Sequence, residues 1–230
     1  MKKTRLEAFS DGVIAILITI MVLELKIPEG ADFDALRPML PHLLSYVLSF
    51  IYLAIYWNNH HHMLQATHRV NGTILWANAH LLFWLSLIPA ATAWVGDHYR
   101  LSVPTAVYGS VLFFAGCAYF ILQQCIIAQE EPDSELGRAI GKDIKGIVSA
   151  GLYALSVVLA FVNPILSDVI FVIVAAIWLV PDRRIESKSV LCAIDVALKQ
   201  KLESFAGLYR CPPREDVGSK LLHSRETHVG

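Results

Sequence analysis

Six long stretches of the chain carry almost no charge, and the ionic residues collect in the short segments between them. The apolar stretches cover about 6–25, 40–61, 73–95, 103–128, 147–162 and 165–180. Runs near 20 residues match the roughly 30 Å hydrocarbon thickness of a bilayer. In lipid such a run has to be helical, because each backbone N–H and C=O must find its partner within the segment. The first run is stopped by Pro28-Glu29-Gly30 and the last by Pro181-Asp182-Arg183-Arg184. Asn163-Pro164 is a turn signal, which makes the last two runs a tight helical hairpin. The pattern predicts an all-α polytopic membrane protein with six transmembrane helices per subunit.

Composition supports that reading. Only 17% of the 230 residues are charged, against about a quarter in a soluble domain. The net charge of −1 comes with no basic stripe, so nucleic acid is not an expected partner. Cys117 and Cys125 fall within an apolar run, Cys192 and Cys211 in the tail, and none has metal-ligand spacing. Met1-Lys2-Lys3-Thr4-Arg5 before an apolar stretch has the look of a signal peptide. Asp11 interrupts that stretch early and no small-residue cleavage site follows, so it is a retained first span. With the N-terminus inside, the inner segments hold Lys2, Lys3, Arg5, Arg69, Arg138, Lys142, Lys145, Arg183 and Arg184. The outer ones hold only Lys26, Arg37 and Arg100, and this asymmetry places both termini in the cytoplasm.

Two regions follow: a six-span unit over 1–184 and a cytoplasmic tail over 185–230. In the tail Leu191, Ile194, Leu198, Leu202 and Phe205 recur at helical spacing, which predicts an amphipathic helix. After Cys211-Pro212-Pro213 the chain is polar and is expected to be disordered.

Span one carries the candidate chemistry. On a helical wheel Ile16, Ile20, Leu23 and Ile27 fall within about 60° of one another, with Thr19 beside them. Phe9 and Gly12 share the stripe, whereas Asp11 points about 140° away from Ile16. An ionisable group inside a span is costly and calls for a partner. At its depth lie the end of span two, Trp57-Asn58-Asn59-His60-His61-His62, and the start of span three with Asn78. A polar cluster of Arg5, Ser10, Asp11, His60, His61 and Asn78 is therefore expected to tie three helices together. Successive helical residues point about 100° apart, so the three histidines cannot all ligate one ion from a regular helix.

The pattern Arg5-x-x-x-Phe9-Ser10-Asp11-Gly12 resembles the signature of the transmembrane protein 175 family of potassium channels. Trp57 and the histidines after it, Asn78, and Pro89 in span three resemble that family as well, over about residues 4–184. The resemblance implies a single-unit, bacterial-type member that forms a homotetramer in the bacterial cytoplasmic membrane, with span one around a central pore. It further implies that Ile16 is the narrowest layer, with Ile20 and Leu23 as further apolar rings and Thr19 as the polar one. Phe9, Ser10 and Asp11 would brace span one against spans two and three without lining the pore. The implied activity is a potassium-permeable cation channel with modest preference for K+ over Na+. No Thr-Val-Gly-Tyr-Gly loop is present to coordinate a dehydrated ion, so a hydrophobic constriction would carry that preference.

On this reading the protein is not an enzyme: it has no catalytic residue, no metal site, no cofactor beyond permeant K+ and no small-molecule substrate. Its partners are the bilayer and further copies of itself. The alternative class is a membrane enzyme or metal-ion transporter using Asp11 and the His60–His62 run.

Overall fold

A computed structural model of the chain describes residues 3–25, 27–28, 30–65, 67, 70–129 and 144–179. The amphipathic helix and polar end expected in the tail lie outside the described residues. All regular structure among those residues is helical. α1 is Lys3–Leu23, α2 Leu40–Gln65, α3 Gly72–Ser86, α4 Ile88–Asp97, α5 Ser102–Ile127, α6 Ile144–Ala160 and α7 Pro164–Leu179, with one 3₁₀ turn at Phe33–Leu36. α1, α2, the α3–α4 pair and α5 are long and apolar enough to cross a bilayer, and α6 and α7 are shorter apolar helices.

Proline and asparagine mark the element boundaries. Asn71 caps α3 by accepting the Ile74 amide at 2.9 Å, which satisfies one of the free N–H groups of the first turn. Pro41, Pro104 and Pro164 stand in first turns, where a missing N–H is harmless. Between α6 and α7, Asn163 accepts the Ile165 amide at 3.0 Å and closes the expected tight hairpin.

Span three departs from the single helix expected over 73–95. Pro89 has no N–H to offer the Leu85 carbonyl. The Leu87 amide turns instead to Trp84 O at 3.2 Å and ends α3. The Ala91 amide then bonds Leu87 O at 3.1 Å and α4 begins. Leu87 keeps right-handed helical angles, so the span runs on as two helices in series.

α1 packs chiefly on α2, α3 and α4, while α5 packs on α3, α4, α6 and α7. Hydrogen bonds between helices pin the apolar interior. Ser49 of α2 lies 2.7 Å from the Thr92 hydroxyl of α4 and 2.9 Å from the Tyr108 hydroxyl of α5. Thr92 donates to Ile88 O, so the chain of donors runs Tyr108 to Ser49 to Thr92 and ends on a backbone carbonyl. Tyr52 donates to Phe171 O at 2.6 Å and fastens α2 to α7. Close approach requires small residues at two crossings. A Cβ on Gly109 would sit 3.1 Å from Phe171, and one on Gly96 would sit 2.8 Å from the His42 ring.

Candidate functional site

α1 has two faces set by helical period. Leu6, Ser10, Ile14, Leu17 and Met21 recur every three or four residues and are buried against α2, α3 and α4. The other side carries Ile16, 57% exposed, with Thr19, Ile20 and Leu23, the last 80% exposed. Thr19 donates its hydroxyl proton to Ile16 O at 2.8 Å, so what the side chain presents outward is oxygen lone pairs.

The buried face holds the polar anchor. Asn78 of α3 donates to Ser10 Oγ at 3.0 Å, and its Oδ1 lies 2.7 Å from His60 Nε2 of α2. Asn78 Oδ1 can only accept, so His60 Nε2 is the donor of that bond. All three residues are buried. One helical step away, Asp11 accepts the Trp57 indole N–H at 3.0 Å. The His61 ring stacks on Trp57 with centroids 6.0 Å apart and takes a hydrogen bond from Gln65 at 2.8 Å. The expected cluster is thus two short chains side by side, Ser10–Asn78–His60 and Asp11–Trp57, with His61 behind the second.

One residue of the expected cluster stands apart from it. Arg5 is exposed and makes no hydrogen bond or ion pair among the described residues. It lies eleven positions before Ile16, which returns it to within about 20° of that side chain and away from Asp11. Phe9 is 60% exposed, on the stripe where the helical wheel puts it. It is seven positions before Ile16, again about 20° off. The backbone geometry that buries Ser10 turns its neighbour outward. Gly12 is exposed too, with no atom within 4 Å of where its Cβ would be.

A contact not anticipated joins the ends of α1 and α2: Lys3 Nζ donates to Gln65 O at 2.6 Å and lies 3.9 Å from Glu7. An ammonium at the carbonyl end of a helix is favoured by the helix dipole. The Lys3–Glu7 spacing was visible in the sequence, but the partner carbonyl, 62 residues away, was not. Among the described residues no three His, Cys, Asp or Glu side chains converge as a metal site would require.

Residues 5–89, which contain both polar chains and the whole Ile16 stripe, match the family model described as endosomal/lysosomal potassium channel TMEM175. A potassium channel of Chryseobacterium sp. (strain P1-3) is 52% identical over 186 residues, 81% of this chain and 97% of that protein. A potassium channel of Chamaesiphon minutus is 29% identical over 178 residues, 71% of this chain and 86% of that one. The crystal structure of a lysosomal potassium-selective channel TMEM175 homolog from Chamaesiphon minutus has the same fold. Its TM-score is 0.64 at 24% identity, covering 76% of this chain and 95% of that one.

Proposed function

The chain belongs to the TMEM175 family of potassium channels, and we propose that it conducts K+ through a pore lined by α1 in a homotetramer. The observation that carries this reading is the division of α1 into a face anchored to its own subunit and an aliphatic face left uncovered. A closed ring of subunits presents the same patch of each copy to the axis. Four copies of α1 so placed stack rings of Ile16, Ile20 and Leu23, with Thr19 between them. Gly12 leaves the same side bare, which suits close approach between neighbouring helices.

Conduction through such a pore depends on the width and wetting of an apolar constriction rather than on a carbonyl filter. Ile16 forms the tightest layer. A cation passing it sheds part of its water, which costs less for K+ than for the smaller Na+, so the expected preference is modest. The Thr19 lone pairs, freed by donation of the hydroxyl proton to Ile16 O, face the ion at the next layer. The Ser10–Asn78–His60 and Asp11–Trp57 chains hold α1 at a set rotation, so the Ile16 side stays on the axis. Both termini lie on the cytoplasmic side of a bacterial plasma membrane in this reading, following the Lys and Arg bias of the loops.

The family is one of channels and not of enzymes. The alternative transport role for Asp11 and the histidines is disfavoured because Asp11 and His60 engage Trp57 and Asn78. The test is ion flux in proteoliposomes under K+ and Na+ gradients. K+ flux that rises, or loses its preference over Na+, in Ile16→Asn and Ile16→Ala supports the assignment. Oligomeric protein with no K+ flux, or flux indifferent to Ile16, overturns it.

A further inference from the structure

The connection between α1 and α2 is built as a small amphipathic platform. Asp32 caps the 3₁₀ turn by accepting the Ala35 amide at 3.1 Å. A Cβ on Gly30 would meet Ala35 Cβ at 2.9 Å, so the loop closes tightly on itself there. In a 3₁₀ helix side chains three apart eclipse one another. Phe33 and Leu36 therefore share one face, and Asp34 and Arg37, joined by an ion pair of 3.2 Å, share the next. Phe33 is 90% exposed and Leu36 is exposed as well, with no cover among the described residues.

Its level relative to the bilayer follows from α2. That helix has 26 residues, about 39 Å of length, while the hydrocarbon core is about 30 Å thick. The His42–Asp97 pair in its first turns and the exposed Asp34–Arg37 pair just before it need water or headgroups around them. That puts this end of α2, and the 3₁₀ turn with it, at the headgroup layer. The apolar face continues onto exposed Leu40 and Leu44 of α2, joining the lateral surface of the span. An apolar aromatic and a leucine on one side with an ion pair on the other suit the boundary between acyl chains and headgroups.

We infer that Phe33 and Leu36 dip into the outer leaflet, making this turn an interfacial anchor whose partner is the lipid surface. The anchor holds the outer end of α1 against the membrane plane while the polar chains hold its inner end. It requires membrane insertion but not ion conduction, so it stands or falls separately from the channel reading.

The test is site-directed spin labelling of the full chain in phosphatidylcholine vesicles, with the four native cysteines replaced by serine. Labels go at Phe33→Cys, Leu36→Cys and, as the polar reference, Arg37→Cys. Size-exclusion elution matching the unsubstituted protein identifies properly assembled samples, and either apolar position serves if the other fails to assemble. The expected result is a ratio of oxygen to aqueous nickel-complex accessibility several-fold higher at Phe33 and Leu36 than at Arg37. Equal, nickel-dominated accessibility at all three positions places the turn in water and overturns the anchor. Low accessibility to both reagents, with dipolar broadening between labels, assigns the face to a neighbouring copy and overturns it equally.

Discussion

Asn78 bridges Ser10 and His60, so removing its amide strands a buried group on each side. Each stranded group costs about 1–3 kcal/mol. Asn78→Leu is therefore expected to lower the thermal unfolding midpoint of the detergent-solubilised protein clearly, and an unchanged midpoint would show that the bridge contributes nothing. The Asp11–Trp57 bond makes a separate prediction. In a double-mutant cycle of Asp11→Leu and Trp57→Phe, direct contact predicts a coupling of about 0.5–3 kcal/mol. Strict additivity would mean that the 3.0 Å contact carries no energy. Ile16 is expected to behave in the opposite way, because it is exposed within the subunit. Ile16→Ala should leave the unfolding of each subunit nearly unaltered while changing flux, which separates a pore residue from a core one.

At the scale of elements, the packing of the start of α2 against the end of α4 depends on the absence of one side chain. A methyl group on Gly96 would meet His42 Cδ2 at 2.8 Å and its backbone Cα at 3.2 Å. The His42 ring is further held by Asp97 at 2.7 Å, so it cannot simply swing aside. Gly96→Ala should destabilise by about 1–3 kcal/mol, as overpacking generally does. In a His42→Ala background the same substitution should cost much less, and thermal unfolding of the four variants measures this directly. Equal cost in both backgrounds would place the clash elsewhere. α1 is fastened differently, by polar bonds near its N-terminal end and by apolar burial of Ile14, Leu17 and Met21 along its length.

For the whole molecule, the charge bias of the loops predicts a fixed orientation. In intact cells expressing a chain without its native cysteines, a membrane-impermeant thiol reagent should miss Thr4→Cys and label Asp34→Cys. The reverse pattern would invert the topology. Native mass spectrometry of the purified protein should report four copies, the number that would close the exposed aliphatic faces of α1 into a ring. A monomer that still conducts K+ would remove the central pore from consideration.

The spans and the two faces of α1 were legible in the order of residues, because both rest on local physics. Helix length is set by bilayer thickness, and which side chains share a face is set by a rotation of about 100° per residue. Pro89 was visible as a residue of span three, though its effect, α3 and α4 in series, appeared only when the hydrogen bonds of Leu87 were known. Which polar groups meet was decided by the tertiary structure. Asp11 found Trp57, and Ser10 found Asn78, across 46 and 68 residues of chain. Arg5, Phe9, Ser10 and Asp11 look like one motif in the sequence, yet two of them turn inward or sideways to other helices and two face out. Partners depend on the depth and rotation of each helix against its neighbours, which arise from packing over the whole subunit and not from any single segment.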